Sequence, residues 1–103
     1  MSAPTVELLH FEGCPNVEAV RALVQRVAAD AGISPDLRLV EVTPEDVERF
    51  RFLGSPTVRV NGHDVEPGAD ERTTFTFACR VYETPSGLSV QPAGEWLRAA
   101  LTV

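Results

Sequence analysis

The chain begins with a strand-length apolar run followed at once by a segment of helical spacing, and this order limits the folds available to it. Residues 5–11 predict a first strand, which a Gly-Cys-Pro turn ends. Pro15 suits the first position of a helix. From there, apolar side chains recur every three or four residues as far as Ala31, and Gly32 then predicts the helix end. A strand that leads through a tight turn into an amphipathic helix is typical of βαβ units. We therefore expect an α/β protein.

The rest of the chain continues this alternation of element types. The predicted later elements are a strand at 36–42, a helix at 43–53, a hairpin at 56–67 that turns at Asn61-Gly62, a strand around 74–81 and a helix at 92–101. The predicted order is therefore β-α-β-α-β-β, then an extra strand or loop insertion, then a C-terminal helix. We expect a mixed sheet with helices on its faces, in a single domain of residues 1–103.

Charge and hydropathy exclude several classes of partner. The formal charge is −6 at pH 7 without a basic cluster, so we expect neither a nucleic acid nor an anionic membrane as partner. No apolar run approaches the ~20 residues that cross a bilayer. Residues 1–4 lack the basic region of a secretory signal, so the expected location is the cytoplasm. The sequence does not indicate an oligomeric state.

Two cysteines, Cys14 and Cys79, are too few for a disulfide-stapled secreted domain of this size. They suggest redox chemistry, metal binding or two unrelated thiols. Together with His10 and His63 they are the chain's only thiol and imidazole ligands, and their spacing matches no standard zinc pattern. We therefore predict no metal site.

The order of elements resembles the thioredoxin fold, and two motifs lie where that superfamily needs them. Its members place a reactive cysteine after the first strand, at the start of the first helix, which here is Cys14-Pro15. They also place a cis-proline at the start of the third strand, which here is Ser55-Pro56-Thr57. The chain is most similar to the small glutaredoxin-like proteins, over residues 5–67 and the final helix. The resemblance implies a three-layer sandwich, in which residues 68–91 have no counterpart.

The resemblance also implies roles for these residues. Cys14 would be the catalytic thiol, and Pro15, Ser55, Pro56 and Thr57 would dock the substrate. A helix N-terminus at Cys14 would favour the reactive thiolate. Val17 stands where the superfamily usually has its second cysteine, so dithiol exchange cannot proceed on this motif alone. A single-thiol role remains, acting on protein or glutathione mixed disulfides, with glutathione as a co-substrate and no bound cofactor.

The role of Cys79 is open between a resolving thiol and a structural one. Cys79 shares one face of the predicted strand with Phe75, Phe77 and Val81, which favours a buried packing role. If that strand leaves from the end of the sheet near Cys14, Cys79 lies ~20 Å along it, beyond the reach of a disulfide. A loop folded back over Cys14 would remove this objection.

Three functions therefore compete. The first is a redox protein that uses Cys14 alone. The second is a non-catalytic module that binds a small ligand, a soft metal or a protein partner. The third is a two-cysteine oxidoreductase. We rank them in this order, and fold analogy contributes much of the ranking.

Overall fold

A four-stranded mixed sheet forms the centre of the structure, a computed structural model that describes residues 3–102. Its strands are β1 (Thr5–His10), β2 (Asp36–Glu41), β3 (Thr57–Val60) and β4 (His63–Asp64). Their spatial order is β2-β1-β3-β4. β1 pairs parallel with β2 and antiparallel with β3, and β4 returns antiparallel to β3. The predicted mixed sheet is confirmed.

Within residues 3–102, three α-helices accompany the sheet. They are α1 (Val17–Asp30), α2 (Val47–Phe50), which continues a 3-10 turn at Pro44–Asp46, and α3 (Gly94–Leu101). α1 ends as predicted, because Gly32 has a φ of 72° and allows the Ile33 N–H to bond the Ala28 carbonyl at 2.8 Å. No helix within residues 3–102 is long and apolar enough to cross a membrane.

Each face of the sheet carries its own apolar core. Leu8 and Leu9 are adjacent in β1 and so point to opposite faces, where they join different clusters. The larger core lies under α1 and α3, which pack against each other. Its buried members are Val6, Leu8, Val20, Leu23, Val24, Ala28, Val58, Val60, Val65, Leu97 and Leu101. The smaller core on the other face consists of Leu9, Val42 and Phe52.

Residues 74–81 do not form the predicted strand. The strands in this part of the chain are β5 (Tyr82–Thr84) and β6 (Gly87–Ser89), which pair with each other in a separate hairpin. Residues 76–80, which we call the strap, instead run beside residues 52–55. The Thr76 N–H donates to the Phe52 carbonyl at 2.9 Å, and a parallel bridge joins Cys79 to Ser55.

The prediction of which side chains in this segment face inward is also wrong. Phe77 and Val81 are 41% and 55% exposed, and Cys79 is exposed, whereas Arg80 and Tyr82 are buried. Of the residues expected in solvent, Arg80 is buried, whereas Thr74, Thr76 and Ala78 are exposed. The physical reason is that Arg80 forms ion pairs with the buried carboxylates of Asp64 and Glu66, which compensate the cost of burying its charge.

Candidate functional site

Cys14 lies in the turn between β1 and α1. Its thiol is free and half-buried, and its backbone N–H donates to the Phe11 carbonyl at 3.3 Å. Asn16 is the N-cap of α1, so Cys14 precedes the helix by more than one residue, and the predicted placement of Pro15 as the first helical residue is wrong. A residue before proline is disfavoured in the helical conformation, which explains why Cys14 belongs to the turn. Pro15 itself is exposed.

The Ser55–Pro56 peptide bond is cis, as the resemblance implies. Thr57 pairs with Leu9 in the antiparallel register of β3 and β1, which brings the cis-proline to the end of β1 that leads to Cys14. The Ser55 hydroxyl accepts a hydrogen bond from the Phe11 N–H at 3.3 Å. Phe11 therefore connects the two motifs, through its N–H to Ser55 and through its carbonyl to Cys14.

Three of the four residues expected to dock a substrate are covered by the chain itself, and only Pro15 is exposed. Ser55, Pro56 and Thr57 are all buried. The Ser55 N–H donates to the Ala78 carbonyl at 2.8 Å, and the Ser55 carbonyl accepts from the Arg80 N–H at 2.9 Å. The strap thus already occupies the backbone groups that an extended substrate would use. A docking role for these residues stays a prediction, and it requires the strap to move.

A buried group of charges anchors the strap. The Arg80 guanidinium binds the Asp64 carboxylate through two hydrogen bonds of 2.7 and 3.0 Å and the Glu66 carboxylate at 2.9 Å. It also donates to the Thr57 hydroxyl at 3.0 Å, directly after the cis-proline. Arg72 donates to Glu66 at 3.0 Å from the rim, so two positive charges balance two negative ones. We call Asp64, Glu66, Arg72 and Arg80 the charge cluster.

The sequence analysis did not predict the charge cluster. Burial alone would lower the pKa of the Arg80 guanidinium, but the hydrogen bond to Asp64 raises it above its ordinary value, so Arg80 stays charged. The Arg80 Nε has no hydrogen-bond partner among residues 3–102. A usable signal was an arginine two residues before Tyr82, combined with two acids spaced by two after the hairpin turn. That spacing places both carboxylates on one side of an extended segment.

Tyr82 completes the support of residues 54–56, which we call the cis-proline loop. Its hydroxyl donates to the Pro56 carbonyl at 2.5 Å, and its ring lies 4.3 Å from the Arg80 guanidinium carbon. Burial raises the pKa of the Tyr82 hydroxyl far above the ordinary value of 10.0, although the positive charge of Arg80 acts in the opposite direction.

We expect Tyr82 to remain protonated at about pH 11 for as long as the protein is folded. Because its folded-state pKa exceeds the unfolded value, the associated stability is complete below pH 10.0 and is lost as the pH rises towards the folded-state pKa. Tyr82 is the chain's one tyrosine, so tyrosinate absorbance reports on it alone. Absorbance and far-ultraviolet circular dichroism should therefore change together. A tyrosinate titration near pH 10 in protein with native dichroism would contradict this expectation.

Of the two histidines, His10 lies next to the Phe11 carbonyl that accepts the Cys14 N–H, whereas His63 lies in β4 beside Asp70. The half-buried His10 ring has its Nδ1 atom 3.3 Å from the Phe11 carbonyl, and the exposed His63 ring lies 3.1 Å from the Asp70 carboxylate. Within residues 3–102, no three or more His, Cys, Asp and Glu side chains are grouped so that they could hold a metal ion.

Comparison of the chain with protein-family models, with curated proteins and with solved structures found no match. A functional assignment therefore depends on the geometry of the Cys14 turn, the cis-proline loop and the strap. These three segments, distant in the sequence, meet at Phe11 and Ser55.

Proposed function

We propose that the protein is a thiol–disulfide redox protein of the thioredoxin-like superfamily, with Cys14 as the reacting thiol. One observation carries this proposal: Cys14 and the Ser55-Pro56-Thr57 segment lie at the same end of adjacent strands, linked through Phe11. The sheet order β2-β1-β3-β4, with a core on each face, supports the three-layer arrangement that the superfamily resemblance implies.

The proposed chemistry is a single-thiol exchange. The Cys14 thiolate attacks one sulfur of a glutathione-type or protein mixed disulfide, a new disulfide forms at Cys14, and the other sulfur leaves as a thiolate that takes up a proton. An incoming glutathione thiol then attacks the sulfur that came from the substrate and regenerates Cys14. This cycle needs no resident cofactor, and Val17 cannot take part in it.

The test is glutathione-dependent reduction of a glutathionylated peptide. Cys14→Ser is expected to lower the rate to that of the uncatalysed reaction, because no other thiol lies in the Cys14 turn. The matched control, Cys79→Ser, is expected to keep a rate above background, since the single-thiol cycle does not use Cys79. Wild-type activity equal to background, or a Cys14→Ser variant as active as wild type, would contradict the proposal.

The burial of the predicted docking residues favours a second candidate function, a non-catalytic binding module. Ser55, Pro56 and Thr57 are buried under the chain. In this second candidate function, Cys14 binds a partner or a soft metal, which does not require an open substrate groove. Titration with Cu(I), Zn(II) or Hg(II) under native mass spectrometry separates the two functions. One metal ion retained per chain, together with no turnover of the peptide, would support the binding module.

A further inference from the structure

We propose that Cys79 is the second redox thiol of the protein and that it forms a reversible intramolecular disulfide with Cys14. This inference rests on the proposed function, because Cys14 remains the thiol that reacts first. It adds the identity of the resolving thiol, which the helix motif lacks at Val17. The reasons lie in the pairing, the aromatic contact and the exposure of the strap.

The pairing of Cys79 with Ser55 sets the direction of its side chain. Partners in a parallel bridge point to the same face of their sheet, so the Cys79 and Ser55 side chains project on one side. The Ser55 side chain reaches the Phe11 N–H, and the Phe11 carbonyl holds the Cys14 N–H. Cys79 therefore faces the side of the cis-proline loop on which the Cys14 turn begins.

A second contact joins the strap to the same turn. The Phe77 and Phe11 rings pack with their centroids 4.9 Å apart. Phe77 lies two residues before Cys79, and Phe11 lies three residues before Cys14. The strap is thus attached near the Cys14 turn at two points, one formed by backbone groups and one by aromatic rings. Because residues 74–81 form no strand that leads away from Cys14, the expectation that Cys79 lies ~20 Å along such a strand does not apply.

Exposure also distinguishes Cys79 from a structural cysteine. A packing cysteine is buried, whereas Cys79 is exposed and the adjacent Arg80 is the residue buried in the charge cluster. Arg80 therefore holds the strap in place while its neighbour presents a thiol to solvent. Residues 72–78 and the Cys14 turn belong to no helix or strand, and Cys79 itself pairs with Ser55 only in an isolated bridge, so a small approach of the two cysteines breaks no strand of a sheet.

The disulfide forms in two balanced steps when a low-molecular-weight disulfide such as glutathione disulfide is the oxidant. The Cys14 thiolate first attacks one glutathione sulfur, and one glutathione leaves. The Cys79 thiolate then attacks the Cys14 sulfur, and the second glutathione leaves. The protein dithiol loses two electrons and two protons, which the two glutathione thiols carry away. The oxidised bond would fasten the strap across the cis-proline loop.

The experiment treats folded, reduced protein with glutathione disulfide, quenches it with acid and measures the intact mass. Wild type is expected to lose two hydrogens as a monomer without retaining glutathione, and a peptide linking Cys14 to Cys79 should be found. Cys79→Ser is expected to retain one glutathione on Cys14. The matched control is the double variant Ala78→Cys with Cys79→Ser, which moves the thiol by one residue and turns it away. This double variant is expected to form the disulfide at least roughly tenfold more slowly than wild type, because its thiol points away from Cys14.

The outcomes separate this inference from the proposed function. Wild type that retains glutathione on Cys14 as stably as Cys79→Ser would overturn the disulfide and leave the proposed function intact. A mixed disulfide dimer instead of a monomer, or closure by the shifted thiol at the wild-type rate, would also overturn it. Wild type that loses two hydrogens while Cys79→Ser stays unmodified would support the disulfide but contradict Cys14 as the first attacking thiol.

Discussion

Replacing Arg80 by methionine is expected to lower the free energy of unfolding by about 3–5 kcal/mol, the usual loss when one partner of a buried ion pair is removed. The Arg80 and Asp64 side chains are each only 2% exposed. The substitution leaves the carboxylates of Asp64 and Glu66 buried without their main positive partner, and the Thr57 hydroxyl loses a donor. Because Arg80 also anchors the strap, the cis-proline loop should become more accessible.

Urea unfolding followed by the fluorescence of Trp96, the chain's one tryptophan, measures this loss. The control is Arg38→Met, which removes an exposed ion pair with Asp36 and should leave the unfolding midpoint nearly unchanged. Adding Asp64→Asn to Arg80→Met should recover part of the stability, since it removes one unpaired charge. Equal midpoints for the Arg80 and Arg38 variants would contradict a stabilising role of the charge cluster.

Replacing Gly54 by alanine is expected to cost about 2–4 kcal/mol, because backbone strain and a steric clash add together. Gly54 has a φ of 116°, which side-chain-bearing residues rarely adopt. A Cβ atom there would lie 2.9 Å from the Arg80 Cβ and 3.1 Å from the Ala78 carbonyl oxygen. The strap can therefore lie this close to the cis-proline loop only because position 54 has no side chain.

Gly87→Ala is the matched control for this substitution. Gly87 has nearly the same φ, 115°, but a Cβ atom there would meet nothing within 4 Å. It should therefore show only the conformational part of the loss. Hydrogen exchange of the Ser55 and Arg80 amides, which bond across the strap, should accelerate in Gly54→Ala and stay unchanged in Gly87→Ala. Equal effects of the two substitutions on stability and exchange would show that the close approach contributes nothing.

Local signals predicted the central elements because each signal acts within a few residues. Gly32 ends α1, and the Asn61-Gly62 turn, with φ values of 52° and 87°, joins β3 to β4 as predicted. The boundaries differ by a few residues, as at Pro15, since helix starts depend on turn geometry. For the candidate site, the turn at Cys14 was located from the sequence pattern, whereas the cis bond before Pro56 was implied only by the superfamily resemblance.

The opening strand–helix order indicated an α/β protein, and the later strands with their hairpin added the mixed sheet, because hydrophobic spacing sets element type locally. Only the tertiary structure decided what residues 74–81 do. Alternation in that segment predicts an inward and an outward face, but which residues are buried depends on partners elsewhere in the chain. Arg80 is buried because it pairs with the buried carboxylates of Asp64 and Glu66. Neighbouring residues of an extended segment point to opposite sides, so Cys79, which pairs with Ser55, is exposed.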